Sequence, residues 1–238
     1  GVFALAARSA WATPSRRGAG AEGSKTTTMS PAHPPILCLC PRDGIPKAVI
    51  SLNLRPSLEL TDEVFEQLCR QNPELRLERT AQGELVAMAP VGSESSRQNL
   101  SLSAQLWQWN RQTQLGVAFD ASAGFALPNG AIRSPNAAWV ARERWQQLTP
   151  EQRRRFAPLC PDFVLELRSP TDDLATLQAK LQEYLENGSQ LGWLIDPESQ
   201  RVYVYRPGQP VQVLERPTCL EGDPVLPGFV ADLNLVWE

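Results

Sequence analysis

The chain has 238 residues, 42% hydrophobic and 21% charged, enough for one domain of moderate size with an appendage or for two small domains. No apolar run nears the roughly 18 residues of a membrane span, and five cysteines, an odd number, argue for reduced thiols instead of a disulfide scaffold, so a soluble cytoplasmic protein is expected. The single histidine, His33, lies in a proline-rich stretch near the N-terminus. A body without histidine excludes Ser-His-Asp and Cys-His triads, the H-E-x-x-H zinc site and two-histidine phosphoester chemistry, which leaves carboxylates, lysine, arginine, hydroxyls and a hard metal.

Residues 1–50 differ from the rest: six prolines, no sustained period, and six Lys or Arg against Glu22 and Asp43, a local charge of +4 in a chain of net −3. They read as a disordered extension, as a transit peptide, or as sequence upstream of a start at Met29. Cys38 and Cys40 have no second pair at zinc spacing. Residues 51–238 form the expected folded domain.

From residue 51 the periods sharpen. Thr61 is placed to N-cap a helix whose apolar stripe is Val64, Phe65, Leu68 and Cys69, stopped by Asn72-Pro73. Leu75 to Thr80 and Glu84 to Ala89 flank Ala-Gln-Gly as a hairpin, and residues 93–112 form a longer helix filled by Leu100, Leu102, Leu106, Trp107 and Trp109. A second hairpin is expected from Val117 to Ala121 and Gly124 to Leu127. Ser134-Pro135-Asn136 leads into a short apolar strand, and Thr149-Pro150 opens a further helix with a capping box to Gln152. Phe163 to Arg168 reads as a strand and Asp172 to Asn187 as a helix with Leu174, Leu177, Leu181 and Leu185 on one face. Strands at Leu191 to Ile195 and Val202 to Tyr205 follow. The β-β-α-β run makes the domain α/β or α+β.

The strand at 163–168 carries the chemistry. Alternation puts Phe163, Leu165 and Leu167 on one face and Val164, Glu166 and Arg168 on the other, and a carboxylate on so apolar a strand is unusual. An internal Glu166–Arg168 ion pair is the bland explanation. Lys180 sits about 90° off the leucine stripe of the next helix, beside Tyr184, so a helix packing back on its strand delivers it toward Glu166; a snorkelling surface lysine is the alternative. Asn136 opens the neighbouring strand, where an Asp would complete a two-carboxylate, one-lysine set for a hard cation and an activated water. Arg153-Arg154-Arg155, with Arg142 and Arg144, is the densest positive cluster; on a helix, three consecutive arginines spread around the circumference and read as a solvated face.

The segments MAPVGSESSRQN, LWQWNRQTQLG, FALPNGAIRSPNAAWV, LCPDFVLELRSPTD, LQAKLQEYLENGSQLGWLIDP and YRPGQPV, in this order from about Ser57 to Trp237, resemble the cyanobacterial "Uma" restriction-endonuclease group of the PD-(D/E)XK nuclease superfamily. The resemblance implies a restriction-endonuclease-like mixed central sheet flanked by helices, with an N-terminal helix and hairpin extension. It implies a Mg²⁺- or Mn²⁺-dependent DNA endonuclease that cuts phosphodiester bonds; the oligomeric state stays open, although cutting both strands favours a symmetric homodimer. Glu166 falls at the glutamate of the (D/E)XK motif and Arg168 at its lysine, with Lys180 supplying the lysine from the next helix. Asn136 falls at the PD aspartate, and Glu94 at an additional acidic position, so Glu166, Asn136 and Glu94 become the implied metal ligands. Tyr184 and Trp193 match recurrent aromatic positions and read as packing.

Family members typically read S-P-D where this chain reads Ser134-Pro135-Asn136. Losing one anionic ligand weakens divalent binding, so two further readings stay open. One is a catalytically impaired nuclease-like module that binds nucleic acid or protein; the other is an unrelated function on the same fold.

Overall fold

A computed structural model describes residues 49–88 and 90–238. The expected N-terminal extension, His33 and the Cys38/Cys40 pair therefore lie outside the described residues, except that Val49 and Ile50 are already strand. The chain runs β1 (Val49–Leu52), α1 (Asp62–Gln71), β2 (Arg76–Arg79), β3 (Leu85–Met88), α2 (Ser93–Thr113), β4 (Gly116–Asp120), β5 (Phe125–Ala126), β6 (Ile132–Arg133) and β7 (Ala137–Ala141). It continues through α3 (Arg142–Gln146), α4 (Pro150–Arg154), β8 (Phe163–Leu167), α5 (Leu174–Glu186), β9 (Leu191–Asp196) and β10 (Arg201–Tyr205). β11 (Gln212–Glu215), β12 (Cys219–Glu221), β13 (Val230–Asp232) and α6 (Asn234–Trp237) complete it. None of these helices is long and apolar enough to cross a membrane.

The larger sheet has the order β11-β10-β9-β8-β7-β4. Only β8 and β9 are parallel in it, joined by the crossover helix α5; every other neighbour is antiparallel. The smaller sheet, β1-β3-β2-β6-β5, is antiparallel throughout, and β12 pairs with β13. This is the mixed α/β architecture the sequence leads one to expect.

Alternation along β8 sorts the core into two layers. Phe163, Leu165 and Leu167 pack with Leu102, Leu106 and Trp109 of α2, while Val164 packs with Leu181 and Tyr184 of α5. Glu166 shares the face of Val164 and so meets α5. The close seating of α5 depends on Gly192 in β9: a Cβ there would lie 2.7 Å from Leu181 Cδ1. Asp173 N-caps α5 through the Thr176 amide, and Gly188 follows its last turn at φ +108°.

Local signals hold well where they are strong. Thr61 accepts from the Val64 amide at the start of α1, and Thr149 with Gln152 forms the full capping box of α4. The second expected hairpin is not formed. β4 pairs with β7 in the larger sheet, whereas β5 pairs with β6 in the smaller one, so the turn between β4 and β5 hands the chain from one sheet to the other. The tight turn at Pro128-Asn129-Gly130 (Gly130 at φ +86°) is the true hairpin signal, and it claims β5 for β6. On α2, Leu100 and Trp107 stay exposed because the buried stripe is Leu102, Leu106 and Trp109.

Candidate active site

Glu166 on β8 is 3% exposed, and its Oε1 lies 2.8 Å from Lys180 Nζ of α5. The same ammonium lies 2.8 Å from Oε1 of Glu78 on β2, a residue of the smaller sheet that is 2% exposed. Lys180 thus ties the two sheets together through two buried carboxylates, whose Oε1 atoms are no further apart than twice that distance. It also approaches the Ser134 carbonyl at 3.5 Å, just before the Asn136 strand.

The two carboxylates are solvated differently by the protein. Glu78 accepts from Lys180, from the Ser134 amide at 2.9 Å and from Arg133 at 3.2 Å, and Arg133 is held in turn by Glu183 at 2.6 Å. Burial pushes the Glu78 carboxyl up, but Lys180 and Arg133 together outweigh it and hold the group below its ordinary range. Glu166 has Lys180 and a long contact from the Tyr184 hydroxyl at 3.4 Å, both on Oε1; among the described residues no group donates to Oε2. Burial therefore dominates, with the Glu78 charge adding to it, and the Glu166 carboxyl is raised above its ordinary range. Burial likewise pushes the Tyr184 phenol well up, which keeps it a hydrogen-bond donor.

Asn136 reaches the same cavity, where its Oδ1 accepts from the Leu167 amide at 3.0 Å. Sheet pairing brings this about: Ala137 of β7 lies opposite Leu165 of β8, so the residue before β7 faces the C-terminal end of β8. Asn136, Glu166 and Lys180 accordingly line one cavity of about 530 Å³, together with Glu78, Arg76 and Arg133. Five carboxylates and three cationic side chains line it in all.

Two expected members stand apart. Glu94, in the first turn of α2, is exposed, pairs with Arg97 at 2.7 Å and does not line the cavity; its hydrogen bonds to that guanidinium hold its carboxyl low. It stands apart from Glu166 and Asn136, with its carboxylate held by Arg97 one turn along the same helix. Arg168, at the motif's lysine position, ion-pairs with Asp196 and Glu198, each at 3.0 Å, and makes no pair with Glu166. The bland Glu166–Arg168 pair is thereby replaced by Glu166–Lys180. Tyr184 and Trp193 are fully buried, and Tyr184 also borders the carboxylate.

The sequence reading missed Glu78. Its signal was the hairpin itself: in Arg76-Leu77-Glu78-Arg79, alternation sets Glu78 opposite Leu77, and Glu78 pairs across the ladder with Val86. What it lacked was the knowledge that both faces of β2 would be covered.

A hard divalent cation asks for oxygen donors, and for few of them where substrate phosphate completes its shell. No group of three or more His, Cys, Asp or Glu is clustered to hold a metal among the described residues. Glu78 and Glu166, already sharing one cation in Lys180, with the second lone pair of Asn136 Oδ1, do suit a magnesium-like ion. Such ions take one or two carboxylates and complete their shell with water and substrate phosphate. The residues fit that mode, with Lys180 as the resident competitor.

A solved structure places the architecture. The crystal structure of a "putative nuclease" from Anabaena variabilis matches with a TM-score of 0.61 and 21% identity, over 75% of this chain and 97% of that one, a likeness of fold. No significant match was found among curated proteins. Residues 62–235 match the family described as "Uma2: Putative restriction endonuclease", and on that span, which contains Glu78, Asn136, Glu166 and Lys180, the chain belongs to the Uma2 family.

Proposed function

We propose that this chain is a divalent-cation-dependent endonuclease acting on the phosphodiester backbone of DNA, with its reaction centre at the Glu78–Lys180–Glu166 cluster. The observation that carries the reading is the bridging ammonium: Lys180 Nζ lies 2.8 Å from a carboxylate of each sheet inside a cavity. Structural surface lysines rarely hold two buried carboxylates, and perturbed groups gathered in a cleft are the mark of a working site.

Glu166 and Glu78 are the residues to hold the cation, with Asn136 Oδ1 as a neutral third donor. Bound there, a magnesium-like ion supplies charge neutralisation for the scissile phosphate and acidifies a water. The side chains do the rest. Lys180, released from one carboxylate, orients a water by donating to it. Glu166, whose carboxyl is raised above its ordinary range, is suited to accept a proton from that water. Arg76 donates to the Ser134 carbonyl, and its buried Nε has no hydrogen-bond partner among the described residues, a free donor suited to a phosphate oxygen.

A specific observation favours a second reading, an impaired domain that binds nucleic acid without cutting it: the amide at Asn136 brings no charge, and its oxygen already serves the Leu167 amide. Plasmid cleavage across Mg²⁺ and Mn²⁺ titrations decides between the two. The natural protein is expected to cut slowly, Asn136→Asp to cut about tenfold faster at limiting cation, and Glu166→Ala to abolish cutting in both backgrounds. Absence of cutting in every variant would leave the binding module as the function.

A further inference from the structure

A second, separate cavity of about 380 Å³ is lined by Arg153, Arg154 and Arg155 over a floor that includes Phe119, Phe125 and Trp145. Three consecutive arginines would diverge on a continuing helix. Here α4 ends at Arg154 and Arg155 takes an extended backbone (φ −109°, ψ −170°), which turns all three onto one rim. Arg70 joins them, and Glu66, which holds Arg70 at 3.0 Å and Arg155 at 2.7 Å, is the one acidic side chain in the lining.

Two of the arginines remain available. Arg153 lies over the Trp145 ring at 5.5 Å and, among the described residues, otherwise bonds only the Gln146 carbonyl. Arg154 is exposed and makes no hydrogen bond, ion pair or ring contact among the described residues. The floor is built of rings: Phe119 meets Phe125 edge-on at 5.3 Å and Trp145 at 5.1 Å. Exposed cations around a pocket of aromatic rings combine the two features that hold single-stranded nucleic acid, backbone charge and a base platform.

We infer that this groove anchors a single-stranded nucleic-acid segment away from the reaction centre, with phosphates on Arg153 and Arg154 and one base in the ring-lined pocket. The contrast of charge supports that occupant: four arginines face one carboxylate here, whereas carboxylates predominate in the catalytic cavity. The pocket is also of the size that takes one small ring-bearing ligand unit. The inference rests on a nucleic-acid substrate for the chain, and its test reads binding without cleavage.

The experiment is fluorescence anisotropy in EDTA with a labelled twelve-nucleotide oligo(dT), an abasic strand of equal length and a duplex of equal length. Oligo(dT) is expected to bind more tightly than either of the others. Arg153→Gln/Arg154→Gln should weaken it about tenfold and lower the salt slope by about 1.4, the release expected for two phosphate contacts on a single strand. An unchanged thermal midpoint in this surface variant keeps the loss specific. Binding unchanged by the double substitution, or equal for oligo(dT) and the abasic strand, overturns the inference. Oligo(dT) binding that persists in a protein that never cuts plasmid would count against the nuclease reading alone.

Discussion

Two strands from two different sheets each contribute one buried glutamate to the same ammonium, and their carboxyls are shifted in opposite directions. On β2, Glu78 is surrounded by Lys180, Arg133 and the Ser134 amide, so its charge is well compensated. On β8, Glu166 sits in the apolar centre of the larger sheet with Lys180 and a long contact from Tyr184. In the proposed reaction centre the smaller sheet would therefore supply the anchor and the larger sheet the reactive carboxylate. Residue type is the same; the number of donors decides. An arrangement of this kind stores instability at the site that a purely structural ion pair would not need.

The comparison is tested most severely by Glu78→Gln. Removing this anion leaves Lys180 and Arg133 short of a buried partner, and a loss of about 3 kcal/mol is expected in urea unfolding at pH 7. Because the folded-state carboxyl of Glu78 is lowered, its contribution is present above the unfolded value and disappears as pH falls through the folded one. The two unfolding curves should therefore converge in acid. A variant as stable as the natural protein at pH 7 would remove the anchor role.

Glu166→Gln should act with the opposite sign. A raised carboxyl means the folded protein binds the proton more tightly than the unfolded chain, so stability falls as pH rises through that window. The neutral amide avoids the cost: its thermal midpoint should exceed that of the natural protein by a few degrees at neutral pH, with the advantage fading toward pH 4, while cleavage is lost. A lower midpoint at pH 7 would show Glu166 to be as well compensated as Glu78.

The smallest effect is expected at Arg168. The resemblance sets it at the motif's lysine position, but it is bound to Asp196 and Glu198, so Arg168→Lys should leave cleavage within about twofold. A hundredfold loss would make the Arg168 guanidinium, directly after β8, a reacting cation in place of Lys180 on α5.

The sequence made one half of this site legible and hid the other. Glu166 was visible because a charged residue interrupts an apolar alternating strand, and Lys180 because its angle from the leucine stripe can be counted. Both signals are local. Glu78 stands on a four-residue strand whose partner layer is supplied by residues 56 and 102 positions away, Arg133 aside, and no local period records that Ser134 and Lys180 converge on it. The mistaken β4–β5 hairpin has the same root: adjacent strands were joined by proximity in sequence, while pairing with β7 and β6 was set by burial of both sheets. The arginine rim, too, depended on where α4 stops, which the capping box at its start does not specify.

The central claim, that Glu78 and Glu166 form one cation-binding reaction centre with Lys180 between them, is tested most directly by diffraction from crystals soaked in Mn²⁺. The account predicts an anomalous peak at coordination distance from both carboxylates, with Lys180 Nζ moved off at least one of them. Lys180 still bridging both glutamates, with no peak or with the peak elsewhere, would contradict it.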